Sequence, residues 1–117
     1  MEFINPYLTT KEKIELLQKW ILVHSEIYYM LNSSIVDDFM FDSNARQLVS
    51  LQEDKQSFDR SRYSYVFYDF TGITGYHLYD RLNPQDKENI WHIATHILDL
   101  WGGKNDAHQQ GKKKRTR

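Results

Sequence analysis

Residues 9–52 read TTKEKIELLQKWILVHSEIYYMLNSSIVDDFMFDSNARQLVSLQ, and the spacing of apolar residues in this stretch decides the fold. Leu17, Ile21, Tyr28 and Leu31 recur in helical steps with His24 in the same stripe, and Leu16, Trp20, Val23, Ile27 and Met30 form a second stripe beside it. Steps of three and four give a helix with a wide apolar face. Thr9 followed by Glu12 has the pattern of a capping box, so the helix is expected over residues 10–31. At about 1.5 Å per residue it is roughly 33 Å long. Asn32-Ser33-Ser34 reads as a turn, and Asp37 is a suitable N-cap for a second helix over 38–52 carrying Phe41, Ala45, Leu48 and Val49. So short a link folds the pair into an antiparallel hairpin.

Outward from the hairpin, residues 53–62 are polar and read as a connector. Tyr63, Tyr65 and Phe67 alternate as in a strand, whereas Tyr63, Phe67 and Phe70 are spaced as in a helix. A lone strand has no partner elsewhere in the chain, which favours helix or irregular structure. Thr71-Gly72-Ile73-Thr74-Gly75 reads as a loop, with Thr74 capping a short helix that ends near Leu82. Asn83-Pro84 opens a last helix whose buried face is Ile90, Ile93, Ala94, Ile97, Leu98 and Trp101, and Gly102-Gly103 ends it. The expected fold is all-α: a long helical hairpin packed on one or two C-terminal helices across an aromatic-rich connector. Residues 1–103 form one domain (hairpin 10–52, C-terminal part 63–103), and 104–117 read as a disordered basic tail.

Composition excludes several classes of protein. The 117 residues suit one domain, and the absence of cysteine removes disulfides, thiolate metal sites and a cysteine nucleophile. Residues 111–117 hold five of the 15 basic residues and none of the 16 acidic ones, leaving 10 basic against 16 acidic, a net of −6, on the rest. An acidic body is a poor nucleic-acid surface. Lys112, Lys113, Lys114, Arg115 and Arg117 are expected to give at most a weak, non-specific attraction to nucleic acid that fades with salt. Neither a signal peptide nor a membrane-spanning run is visible, so a cytoplasmic location is expected.

The chemistry-bearing residues collect around the hairpin turn. Asp38, Phe41 and Asp42 share a helix face, and Tyr28 and Tyr29 end the preceding helix across the turn. Flat rings suit a planar heteroaromatic ligand, above all a cationic one, and carboxylates suit hydroxyl or amide donors.

Residues Ile14 to Leu51 resemble the small N-terminal helical domain of NAD-dependent DNA ligases. That domain ends its first helix in His-x-x-x-Tyr-Tyr or Tyr-His, followed eight residues later by Asp-x-x-Tyr-Asp. The present chain has His24-x-x-x-Tyr28-Tyr29, eight residues, then Asp38-x-x-Phe41-Asp42. The resemblance implies that Tyr28, Tyr29, Asp38, Phe41 and Asp42 contact the nicotinamide and ribose of NMN or NAD, with His24 structural. Phe41 replaces the family's Tyr, and Met40 replaces its usual Glu. The Lys-x-Asp-Gly nucleophile motif is missing, so no ligase chemistry is implied. Short stand-alone proteins of this kind are typical of bacterial phages and prophages.

Other motifs read more plainly. His92, His96 and Asp99 have spacing that suits a metal, but one helix seldom supplies every ligand, so they are expected to be a solvated face. The Thr71–Gly75 loop lacks the lysine of a phosphate-binding loop, and Ser33-Ser34 lacks a nearby base. The expectation is a non-catalytic phage or prophage accessory protein, without a metal or a tightly bound cofactor, whose hairpin binds a nicotinamide nucleotide or imitates the ligase domain. The alternative is an interaction module that modulates a host replication, repair or defence protein and takes no small ligand.

Overall fold

The Thr9 hydroxyl accepts a hydrogen bond from the Glu12 amide at 3.1 Å, and the Glu12 carboxylate accepts one from the Thr9 amide at 2.9 Å. This capping box satisfies two amides at the start of α1 (Thr10–Ser25) and holds the Glu12 carboxyl below its ordinary pKa. α1 runs on into a π-helical turn, Glu26–Met30, closed by the Leu31 amide donating to the Glu26 carbonyl at 3.0 Å. Asp37 caps α2 (Asp38–Leu51), its carboxylate accepting from the Met40 amide at 2.7 Å. Two short helices, α3 (Lys55–Asp59) and α4 (Ser64–Phe67), and a 3₁₀ turn, Tyr79–Arg81, lead to α5 (Pro84–Gly102). Asn83 caps α5 by accepting from the Asp86 amide at 2.8 Å. The structure, a computed structural model, describes residues 7–31, 35–73 and 77–102, and no strand occurs among them. The fold is all-α, with the long first helix packed on the C-terminal helices.

α1 is the central element. The seven consecutive residues from Ile21 of α1 to Ile27 of the π turn are all buried, so over this length the continuous helix is covered on every side. α2 covers it with Ala45 and Leu48, and α5 with Ile90, Ala94 and Leu98. Phe58, Val66 and Phe67 of α3 and α4 complete the core. Each large side chain so buried contributes roughly 1.5–3 kcal/mol relative to exposure.

Polar groups link the remaining pieces to this core. Gln18 of α1 is fully buried, and its Nε2 donates to Gln52 Oε1 and Ser61 Oγ, both at 3.1 Å. Its Oε1 accepts from the Tyr63 amide at 3.3 Å. One side chain thus joins α1 to the end of α2 and to the link between α3 and α4. Asp86 is buried at the start of α5 and accepts from Arg62 Nη2 at 2.5 Å and Tyr65 Oη at 2.6 Å. Arg81 donates to both carboxylate oxygens of Asp69, at 2.7 and 3.2 Å, and to the Val66 carbonyl at 2.9 Å. The 3₁₀ turn is thereby held against α4.

Several details differ from the sequence reading. The connector at 53–62 contains α3, because Asp54 accepts from the Ser57 amide at 3.3 Å and Phe58 finds the core. The ambiguous stretch after Tyr63 forms α4, one turn of helix. Tyr28 leaves the buried stripe and is 55% exposed, while Ile27 and Leu31 stay buried. The π turn is the physical reason: its wider repeat offsets the faces of the helix beyond Ser25. On α5 the buried line is Asp86, Ile90, Ala94 and Leu98, whereas Ile93 and Ile97 are half-buried against the flank of α1. The turn at 32–34, the cap at Thr74, Gly103, the tail at 104–117 and the side chains of Met30 and Trp101 lie outside the described residues.

Replacing Gln18 with Leu leaves the buried Tyr63 amide without its acceptor. The expected loss is about 2 kcal/mol of unfolding free energy in urea titration, against under about 1 kcal/mol for Gln52→Ala at the half-exposed end of the same node.

Candidate functional site

The π turn and the first turn of α2 face one another across a hollow of about 180 Å³. Tyr28, Tyr29, Asp38, Phe41 and Asp42, the five residues singled out in the sequence, all line it. They share the lining with His24, Ser25, Ile27, Ile35, Val36 and Ile73. Helical geometry explains the convergence. Asp38 and Asp42 are one turn apart on α2, Phe41 lies between them, and the shortness of the link between the helices brings Tyr28 and Tyr29 opposite.

The rings are fixed in different ways. Phe41 is half-buried, its ring centroid 5.8 Å from that of Trp20, which lies 4.5 Å from the His24 ring. This chain of rings ties the wall of the hollow to α1. Tyr28 and Tyr29 meet edge to face, with centroids 4.8 Å apart and planes at 84°. Two perpendicular rings cannot both stack on one flat ligand; one offers its face and the other its edge. Simultaneous stacking by both tyrosines does not follow from this arrangement.

Two residues of the lining are polar and buried. His24 is 9% exposed and Ser25 2% exposed. Neither His24 Nδ1 nor Ser25 Oγ has a hydrogen-bond partner among the described residues. Burial pushes the His24 pKa down to about 4, so the imidazole is neutral at pH 7 and carries one donor and one acceptor nitrogen. Asp38 and Asp42 are exposed, at the rim.

His24, Ser25, Ile35, Val36 and Ile73 are lining residues that the sequence reading does not assign to the site. Ile35 and Val36 carry a signal, being apolar beside a polar turn. Ile73 carries none, since only the tertiary fold brings its loop to the hollow. Gly72 lets that loop approach α2: its φ is +88°, and a Cβ there would lie 3.3 Å from Val49 Cγ2. Elsewhere, His92, His96 and Asp99 lie on the exposed face of α5, with His92 Nε2 3.6 Å from Glu88 Oε2.

Compared with family models, curated proteins and solved structures, the chain matches none.

His24 gives a pH prediction with a definite sign. Its folded pKa of about 4 lies below the unfolded value near 6.5, so the unfolded chain takes the proton first as pH falls. Stability is at its full value above about pH 6.5 and declines toward pH 4. Urea midpoints should correspond to about 2 kcal/mol less stability at pH 5 than at pH 7, and His24→Gln should remove most of that difference.

Proposed function

We propose that this chain is a non-catalytic binding protein whose helical hairpin holds the nicotinamide end of a nicotinamide nucleotide, as an accessory protein of phage or prophage type. The observation that carries this reading is the convergence of Tyr28, Tyr29, Asp38, Phe41 and Asp42 on one hollow. The spacing that resembles the ligase domain and the geometry of the lining point to the same ligand. Aromatic faces attract a cationic pyridinium ring, and the two aspartates add negative potential around it. The size of the hollow selects the portion bound. About 180 Å³ lies below the roughly 300 Å³ at which pockets for drug-sized molecules begin. A single substituted ring matches that volume and a dinucleotide does not, so the ribose and phosphate sit at the rim or beyond it.

The site offers little for catalysis. Ser25 Oγ makes no hydrogen bond to His24 or to any other described residue, so the paired nucleophile and base of covalent catalysis is not assembled there. Among the described residues no helix is long and apolar enough to cross a membrane.

A second reading is supported by the apolar side chains around the hollow. Phe39 is 75% exposed and Ile73 80% exposed, with Tyr28 and Met40 also uncovered. Exposed aromatic and methionine side chains beside a concave site suit contact with a protein. In that reading the hairpin imitates the ligase domain and engages a host protein.

Calorimetric titration with NMN separates the two. Saturable heat is expected, and Asp42→Ala should weaken binding at least about tenfold, since a hydrogen bond to a charged group contributes roughly 1.5–3 kcal/mol. Silence at millimolar NMN would reject the small-ligand reading and leave the docking surface.

A further inference from the structure

Resting on the nicotinamide reading, we propose that Trp20 is a positioning residue that sets the size limit of the hollow: it backs the ring of Phe41 and so confines the site to a single aromatic ring. Trp20 does not itself line the hollow. It lines a separate groove of about 170 Å³ between α1 and α5, in which Leu16 and Val23 face Ile93 and Ile97. Phe41 lines the hollow and not the groove, and His24 is the one described residue common to both. The Trp20 ring centroid lies 5.8 Å from that of Phe41 and 4.5 Å from that of His24, with the planes tilted at 39° and 44°. Three rings in contact thus stand between the two spaces, with the indole at their centre.

The volumes show what this partition does. The hollow holds about 180 Å³ and the groove about 170 Å³, each below the roughly 300 Å³ at which pockets for drug-sized molecules begin. Joined, they exceed it. With the ribose and phosphate at the rim, added bulk on the bound ring meets this wall. Rings packed against one another yield little, because side chains in a folded protein sit at close to crystal density. A second ring fused to the pyridinium therefore has no space to enter while the indole is in place. Truncating a large side chain leaves a cavity that its surroundings fill only in part. Without the indole, Phe41 loses its backing and the hollow opens toward the groove. Selection by such a wall is steep, since a single methylene in an apolar pocket discriminates by about 10- to 200-fold.

Calorimetric titration at pH 7 with NMN, and with the NMN analogue whose pyridinium carries a fused benzene ring, tests this. The wild-type protein should bind NMN at least about tenfold tighter than the analogue. Trp20→Ala should bring the two affinities within about threefold of one another or reverse their order. Trp20→Phe keeps a ring behind Phe41 and should keep most of the preference. A loss of stability alone would weaken both ligands alike and leave their ratio unchanged. Where Trp20→Ala does not fold, Trp20→Leu carries the same test. Equal affinity of the wild-type protein for the two ligands would overturn the inference while leaving the nicotinamide reading in place. A preference that persists undiminished in folded Trp20→Ala or Trp20→Leu would also overturn it, since the wall would then lie elsewhere. Heat from neither ligand would remove both the reading and the inference.

Discussion

A helix buried on every side must find partners for each of its polar groups, and this constraint governs both the fold and the site. α1 carries Gln18, His24 and Ser25 among its buried residues. At Gln18 the protein meets the demand itself. The side chain amide makes two donor bonds and accepts a third, and its partners lie on the segments that follow α2. These bonds specify where the chain after α2 must lie, because an apolar neighbour there would leave an amide unpaired at roughly 1–3 kcal/mol. At His24 and Ser25 the solution differs. Both residues belong to the lining of the hollow, but His24 Nδ1 and Ser25 Oγ are themselves buried without a hydrogen-bond partner among the described residues.

How much of this was legible depends on the range of the interaction. The capping box at Thr9 and Glu12, the caps at Asp37 and Asn83, and the apolar spacing of α1, α2 and α5 act within one or two turns, and all are in the sequence. The convergence of Tyr28, Tyr29, Asp38, Phe41 and Asp42 was legible for the same reason, since a short turn between two helices fixes which ends meet. Gln18 was not legible. Nothing local distinguishes it from an exposed glutamine, because its partners are 34 to 45 residues away. The π turn was also hidden. Ordinary helical spacing places Tyr28 in the buried stripe, and a single wider turn brings it out.

That turn connects fold to site. Tyr28 must leave the core for a ring to be available at the hollow, yet Ile27 and Leu31 must stay in it to hold α1 in place. A regular α-helix would set Tyr28 on the same face as Ile21 and His24, seven and four residues earlier, both of which are buried. The bond from the Leu31 amide to the Glu26 carbonyl resolves the conflict by spanning five residues. Irregular helical turns of this kind concentrate at functional sites, where a side chain must be aimed in a direction regular geometry does not permit.

Shape and charge then act at different depths of the hollow. Outside, Asp38 and Asp42 are solvated, and the attraction each exerts on a cationic ring is screened. Inside, the walls are Ile27, Ile35, Val36 and Phe41, where water is displaced and a hydrogen bond counts for more. A ligand whose positive ring sits between these layers gains from both. A ligand with its negative group placed inward gains from neither, because the buried groups are neutral and the rim is acidic. For the proposed nicotinamide nucleotide this favours the ring inward and the sugar and phosphate toward water, where the phosphate keeps its own hydration and stands farthest from the aspartates.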